Sequence, residues 1–369
     1  MFTTPSPVMH VITNLTGNAG AEIMLARLLR ASQDQNILVV PLIDVSERNR
    51  CLTANPRVSF IPLQMHSAVD AVGGILKLAR LIAKEKPRVV VCWMYHAMVA
   101  ATVARGLASL DVPVFWNVRQ SLDDPASLSR STRAAVKVGQ LLSRSPAGII
   151  YNSERALRLH GEYGYRNSNA IVIPNGFNIP EDVVIVGKIP RIFGIAGRFH
   201  PQKDYETFFR AAAAIARSFP HVRFKAVGNG LSPDNPAVAN MLGEIGMPAG
   251  ALELCGESSD MGAFYRSIDI LVLSSRTEGF PNVVAEAMSY AKPVITTDVG
   301  DAGVIVKETG WVIPPRNPSA LGAALEQTLQ LTPEEYLSRA RLAKQRIEER
   351  YNMATVLLQY ENFLSCGPL

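Results

Sequence analysis

The sequence predicts an α/β protein built from two parallel-sheet units, and three observations carry that prediction. Short Val- and Ile-rich runs alternate with helical patterns along nearly the whole chain, as expected for parallel strands joined by helices on both faces. At 369 residues the chain is too long for one ordinary core. A stretch rich in Pro, Gly and Asn, IPNGFNIPEDVVIVGKIP at Ile173–Pro190, interrupts the alternation near the middle. The expected division is residues 1–175, a linker at 176–190, a second unit at 191–350, and a terminal helical segment at 351–369.

Taken in order, the first unit should hold strands near Met9–Asn14, Ile37–Leu42, Val58–Pro62, Arg88–Trp93, Val112–Asn117, Gly148–Asn152 and Ala170–Ile173. Helical patterns fall at Ala21–Ser32, Gly74–Lys86, His96–Leu107 and Thr132–Ser143. In the second unit the strands are Ile192–Ala196, Arg223–Gly228, Leu252–Cys255, Asp269–Leu273, Pro293–Thr297 and Trp311–Ile313. Helical sequence dominates from Pro318 onward. Two such units joined by a hinge predict a central cleft between facing carboxyl edges, where open α/β sheets bind ligands.

Apolar residues make up 48% and charged residues 19%, which excludes a disordered chain. No apolar run approaches the roughly 18 residues of a spanning helix. The first 17 residues carry no Lys or Arg, unlike a signal peptide. Cys51, Cys92, Cys255 and Cys366 show no metal or redox spacing, and Cys92 and Cys255 sit in strand-like runs. Buried thiols in a reducing, cytoplasmic compartment are expected. Residues 1–180 hold 19 Lys and Arg against 11 Asp and Glu, while residues 181–369 hold 18 against 21. The first half is therefore the part that would meet an anionic partner or membrane surface. Nucleic acid is not expected, because the cations are not interleaved with aromatics and no recognition motif is present.

The densest chemistry lies in TEGFPNVVAEA, Thr277–Ala287. The apolar run Ile268–Ser274 before it reads as a buried strand, and Pro281 suits a first helical turn. Glu278 then lies in the strand-to-helix loop and Glu286 about a turn and a half into the helix. A carboxylate so fixed can accept hydrogen bonds from vicinal sugar hydroxyls, and amides from Gly279 to Val283 can face an anion. The bland alternative is a dipole-pairing Glu and a surface Glu.

A second cluster is GIAGRFHPQKDYETF, Gly194–Phe208. Arg198 and Lys203 can converge on one diphosphate, and Asp204 can cap a helix from Tyr205. A third, TGNAGAEIML at Thr16–Leu25, puts Gly17 and Gly20 before a helix but lacks the three-glycine dinucleotide spacing. At Trp93-Met94-Tyr95-His96, His96 ends a strand and can meet a sugar hydroxyl or stabilise developing positive charge; a helix cap or a half-buried His is the alternative. Arg119 follows another strand end and reads equally as an acceptor-phosphate ligand or a surface salt bridge. Asp123-Asp124 before Pro125 reads as a turn, and no metal-ligand set is found. Arg130, Arg133, Lys137, Gln140 and Arg144 form one basic stripe, with Val138, Leu141 and Leu142 expected on the other side; this is a solvated face or a lipid-facing helix.

Together these residues resemble glycosyltransferase family 4, the retaining group 1 enzymes of the GT-B fold. The resemblance spans the chain and rests on GRFHPQKD (Gly197–Asp204), VGNG (Val227–Gly230), LCGESSDM (Leu254–Met261), EGFPNVVAE (Glu278–Glu286), IPNGF (Ile173–Phe177), NVRQSL (Asn117–Leu122) and IIYNSE (Ile149–Glu154). It implies that Arg198 and Lys203 bind a donor diphosphate and Glu286 the ribose. Glu278 with Gly279, Phe280, Pro281 and Asn282 would hold the transferred sugar. Cys255 and Gly256 would frame the base, which the resemblance implies is uracil in a UDP-sugar donor. His96 would stand beside the sugar, and Gly17 to Gly20 would close over the phosphates. The segment Met353–Leu364 is the candidate for a last helix returning to the first unit. The GNAGAE loop departs from the adjacent glycines of many members. The resemblance implies retention without a cofactor or metal, and a saccharide or polyprenyl-linked acceptor in polysaccharide, lipopolysaccharide or glycolipid assembly. The rival readings are a nucleotide-sugar epimerase or hydrolase of the same fold and a catalytically silent scaffold.

Overall fold

The computed structural model describes residues 6–17, 20–123 and 125–365. Asn18 and Ala19 of the glycine loop, Asp124 and Cys366 lie outside the described residues. The chain divides into two compact units: residues up to Gly176 together with those from Met353 onward, and Phe177–Asn352.

The first unit runs β1 (Val8–Ile12), α1 (Gly20–Ala31), β2 (Ile37–Pro41), α2 (Glu47–Thr53), β3 (Val58–Phe60), α3 (Ala68–Glu85), β4 (Val89–Trp93), α4 (Tyr95–Ala108), β5 (Val114–Val118), α5 (Arg130–Leu142), β6 (Gly148–Tyr151), α6 (Glu154–Tyr163) and β7 (Ala170–Val172). Its seven strands are parallel in the order β3-β2-β1-β4-β5-β6-β7. The central strands are buried on both sides, which is why they read as unbroken apolar runs. The crossovers from β3 onward put Leu78 and Ile82 of α3, Ala101 of α4 and Val136 of α5 into one core layer. Leu25 and Leu29 of α1 fill the other.

The second unit holds β8 (Ile192–Ala196), α7 (Tyr205–Ser218), β9 (Arg223–Val227), α8 (Pro236–Ile245), β10 (Leu252–Gly256), α9 (Met261–Ser267), β11 (Ile270–Leu273), α10 (Asn282–Ser289), β12 (Val294–Thr297), α11 (Ala302–Val306), β13 (Trp311–Ile313), α12 (Pro318–Leu329) and α13 (Pro333–Arg350). Its six strands are parallel in the order β10-β9-β8-β11-β12-β13. The Pro/Gly-rich stretch from Phe177 packs on this unit: Lys188 pairs with Asp269 at 2.5 Å, Arg266 with Asp182 at 2.8 Å, and Val183 and Ile185 cover its core. The final helix, α14 (Met353–Ser365), belongs to the first unit, burying Val356 and Tyr360 in the layer that holds α1.

Three elements differ from the sequence expectation. Helix α3 starts six residues before Gly74, because Ser67 and Asp70 form a capping box: the Ser67 hydroxyl accepts the Asp70 amide and the Asp70 carboxylate accepts the Ser67 amide. Cys92 is buried, but Cys255 is only half-buried, because β10 is an edge strand with a register shift at Leu254/Gly256. On α5 the buried residues are Ala135, Val136 and Gly139, so Val138 and Leu141 stand exposed beside the cations rather than opposite them.

Two buried imidazoles make the first unit acid-sensitive. His10 accepts the Trp93 indole N–H at 3.1 Å; His160 meets the Tyr95 hydroxyl at 2.9 Å and the Ala156 carbonyl at 2.7 Å. Burial pushes both down from 6.5 to about 4. The unfolded chain therefore takes up protons between those values that the folded chain refuses. Stability is complete above pH 6.5 and falls as the pH drops towards 4, by roughly 3 kcal/mol per histidine. Urea midpoints measured across this window should show the loss, and a His160→Gln variant should show a shallower slope.

Candidate functional site

The candidate site grows from the carboxyl edge of the second sheet. Strands β8 and β11 are parallel neighbours, so the loops that follow them leave from the same edge. The two loops are tied together. The Arg276 amide donates to the Gln202 carbonyl at 2.8 Å, the Gln202 side chain donates to the Thr277 carbonyl at 2.8 Å, and the Ser274 hydroxyl donates to the Lys203 carbonyl at 2.8 Å. This brings together residues 75 positions apart: Lys203 Nζ lies 2.6 Å from Glu278 Oε1, with side chains 19% and 10% exposed. The buried Ser275 hydroxyl donates to the same carboxylate oxygen at 2.6 Å.

Arg198 stands on the loop after β8, exposed and with no ion-pair partner among the described residues. Its backbone is set by β9: the Gly197 amide donates to the Val227 carbonyl at 2.9 Å and the Phe199 amide to the Asn229 carbonyl at 2.7 Å. Gly228 is in left-handed backbone (φ 147°), and a Cβ there would lie 2.0 Å from the Gly197 carbonyl oxygen. Its amide donates to the Gly256 carbonyl at 2.7 Å, linking this loop to the end of β10, where Gly256 faces open space.

Helix α10 begins at Asn282, so Pro281 sits one residue before the helix rather than in its first turn. Glu286 occupies the second turn, half-buried, and its carboxylate accepts the Tyr265 hydroxyl at 2.8 Å from α9. The amides of Gly279, Phe280 and Val283 have no acceptor among the described residues. The Phe280 ring turns inward onto Phe177 and Tyr351, leaving only its backbone towards the site. Gly300 supports this turn at close range: a Cβ there would meet the Gly279 oxygen at 2.3 Å. Asp204 precedes α7 in left-handed backbone (φ 51°) and makes no amide cap; its carboxylate instead accepts the Thr207 hydroxyl and the Arg276 guanidinium, each at 2.8 Å.

The remaining candidates lie in the first unit. His96 is in the first turn of α4, not on the strand; it is half-buried, and burial lowers its pKa against a smaller opposing effect of the Ser131 backbone. The Gly17 carbonyl accepts the side chain of buried Asn49 at 2.9 Å, and Gly20 opens α1 exposed. Arg119 overturns both of its readings. It is buried with no acidic partner among the described residues; its Nη atoms donate to Asn117, the Ile173 carbonyl at 3.0 Å, the Tyr360 hydroxyl at 3.1 Å and Asn175, so neither a surface salt bridge nor an acceptor ligand fits. Asp123 pairs with Arg155 and Ser121. Among the described residues no cluster of three or more His, Cys, Asp or Glu is placed to hold a metal ion.

Sequence reasoning missed Ser275 and Tyr265. Ser275 lies three residues before Glu278, a spacing that could have flagged it. Tyr265 is 21 residues from Glu286 on another helix, with no linear signal at all.

Solved structures share this architecture across nearly the whole chain. HepE from Anabaena, solved in complex with UDP, superposes with a TM-score of 0.80 at 20% identity over 97% of this chain and 99% of its own. The lipopolysaccharide outer core galactosyltransferase WaaB superposes at 0.75 with 15% identity over 97% and 99%. The class defined by these superpositions is the GT-B fold. The family described as "Glycosyl transferases group 1" matches residues 190–331, and the "Glycosyl transferase 4-like domain" matches residues 19–176. The chain belongs to the group 1 glycosyltransferases. An uncharacterized glycosyltransferase of Methanocaldococcus jannaschii is 34% identical over 178 residues, 46% of each chain. A D-inositol 3-phosphate glycosyltransferase of Rhodococcus opacus is 27% identical over 261 residues, 62% of this chain and 58% of its own. The chain thus spans about half the length of these curated relatives.

Because Gly228 admits no Cβ, a Gly228→Ala change should cost about 3 kcal/mol or more and displace Arg198. Urea denaturation measures the first effect and nucleotide binding to the surviving fold the second.

Proposed function

We propose that the chain is a retaining, metal-independent glycosyltransferase. It takes a nucleoside diphosphate sugar, with uridine as the nucleoside, and passes the sugar to a saccharide or polyprenyl-linked acceptor in polysaccharide, lipopolysaccharide or glycolipid assembly. The observation that carries this reading is the convergence of Lys203 and Glu278 from separate loops, beside Arg198, which has no ion-pair partner among the described residues, and a helix-borne Glu286. HepE, solved with UDP and with UDP-glucose, supports the choice of donor, and the relatives named as D-inositol 3-phosphate glycosyltransferases support the reaction class.

Arg198 and Lys203 bind the diphosphate, one as a planar fork and the other as a point charge. Lys203 has to leave Glu278 to do so, and the same exchange frees that carboxylate for the sugar hydroxyls. Donor binding and sugar recognition are thereby coupled through one ion pair. Glu286, oriented by Tyr265, accepts the ribose hydroxyls. The amides at Gly279, Phe280 and Val283 meet the sugar and phosphate oxygens, and Asn282 and Pro281 shape that turn.

In the reaction the bond from the anomeric carbon to the diphosphate oxygen breaks as a bond to the acceptor oxygen forms on the same face. The acceptor proton passes to the departing phosphate oxygen, and the two cations hold the growing charge. His96, Gly17 and Gly20 are assigned to the donor from the first unit. That unit also carries the contact with an anionic membrane surface; no helix among the described residues is long and apolar enough to cross a membrane.

Calorimetry with UDP should show Arg198→Ala and Lys203→Ala each losing about 10- to 100-fold in affinity. Glu278→Gln releases Lys203 and should bind UDP at least as tightly as the wild type while transfer from the UDP-sugar collapses. His96→Ala should lower transfer and leave UDP affinity unchanged. Transfer should persist in EDTA and give a product of the donor's anomeric configuration by NMR. Full transfer by Glu286→Ala or Lys203→Ala would refute the assignment.

A further inference from the structure

The first unit carries a surface that the transfer chemistry does not use. Helices α3, α4 and α5 lie side by side on one face of its sheet, and their sequences hold seven Lys and Arg against Asp70 and Glu85. Asp70 is occupied in the cap of α3, and Glu85 pairs with Lys84 at 3.3 Å. The face is also unusually apolar for an outer surface. Leu141 of α5 is 81% exposed, Val72 of α3 is 68% and Leu107 of α4 is 55%. Helices α4 and α5 both start at the carboxyl edge and run the same way. Leu107 and Leu141 are the thirteenth and twelfth residues of their helices, and Val103 and Val138 are each the ninth, so both helices expose apolar side chains in their second halves.

Cations frame this apolar strip. Arg130, Arg133 and Lys137 project from α5, exposed and with no acidic partner among the described residues. Just past α5, Arg144 and Arg166 line a depression of about 470 Å³ with Asn167 and Ser168. Neither arginine meets a carboxylate among the described residues; Arg166 is steadied by the Gly161 and Tyr165 carbonyls, at 2.8 and 3.0 Å.

We infer that the outer face of α3, α4 and α5 docks on an anionic lipid bilayer. Leu107, Val138 and Leu141 enter the headgroup layer, and Arg144 and Arg166 hold a lipid phosphate. Apolar side chains framed by exposed cations match a bilayer that is negative at its surface and apolar beneath. A solvated face accounts for the cations but not for the large apolar side chains exposed among them. The inference rests on the proposed function only in expecting an anionic membrane partner, and it adds the face, the edge and the chemistry that recognises the lipid. Leu107 and Leu141 stand in the last turns of α4 and α5, and Arg144 and Arg166 lie beyond α5, so the anchoring residues gather where these helices reach the amino edge of the sheet.

The test is co-sedimentation of the full chain with phosphatidylcholine vesicles, with and without 30% phosphatidylglycerol. Binding should require the anionic lipid and be lost in 0.5 M NaCl. Leu141→Glu and Lys137→Glu should each weaken it about tenfold, whereas Leu342→Glu, at an exposed leucine on α13, should not. Inorganic phosphate at constant ionic strength should leave vesicle binding intact; displacement by it would make the Arg144/Arg166 depression a small-anion site and overturn the lipid assignment. Absence of vesicle binding, or binding indifferent to Leu141→Glu, overturns the inference. So does a dimer in vesicle-free solution that Leu141→Glu dissociates, which would give the face to a second copy. UDP calorimetry on the same variants separates the two readings: intact UDP binding with no vesicle binding sinks only the docking face, and the reverse sinks only the transferase.

Discussion

The second unit is organised around one charged contact, the Lys203–Glu278 pair. Neither residue would hold its position alone, because Lys203 ends a single 3-10 turn, Pro201–Lys203, and Glu278 sits on a loop. The pair is formed by the hydrogen bonds that lace the two loops together and by the Ser275 hydroxyl on the shared carboxylate oxygen. A half-buried ion pair of this kind contributes little net stability, since desolvation offsets much of the attraction. Its value is positional: it stores a cation and an anion at the same sheet edge in a form that a ligand carrying both phosphate and hydroxyls can divide between them.

Close backbone approach makes that lacing possible. Gly228 and Gly300 each bring a carbonyl of a neighbouring loop to a distance that no side chain would permit, fixing the loops after β8 and β11 from opposite sides. The site is therefore held by backbone contacts outside the parallel ladder, while the ladder supplies only the common edge. The same division appears in the first unit, where Arg119 ties the end of β5 to α14 through Tyr360 and lies buried without a counter-ion among the described residues. Its charge is met by carbonyl, amide and hydroxyl dipoles instead, an arrangement that fastens a terminal helix to a sheet drawn from residues more than 200 positions earlier.

Much of this was legible from the chain. The strands appeared because parallel strands buried on both faces read as unbroken Val and Ile runs. Arg198, Lys203, Glu278 and Glu286 appeared because their spacing puts them just beyond strand ends, where the topology of α/β sheets collects functional groups. Boundaries were less legible where a cap decided them. Ser67 and Asp70 extended α3 back through two glycines that would otherwise weaken a helix.

By itself, then, the sequence determined the alternation of elements, the edge at which the chemistry gathers and the charge imbalance between the halves, since all three follow from local pattern and composition. Only the tertiary structure decided which charges meet. It placed Lys203 on Glu278, Tyr265 on Glu286 and Arg119 inside the first unit, and it turned Val138 and Leu141 outward beside the cations of α5. Linear spacing cannot express these outcomes, because each depends on which side of a helix or loop finds a neighbour to pack against. That neighbour comes from a distant part of the chain.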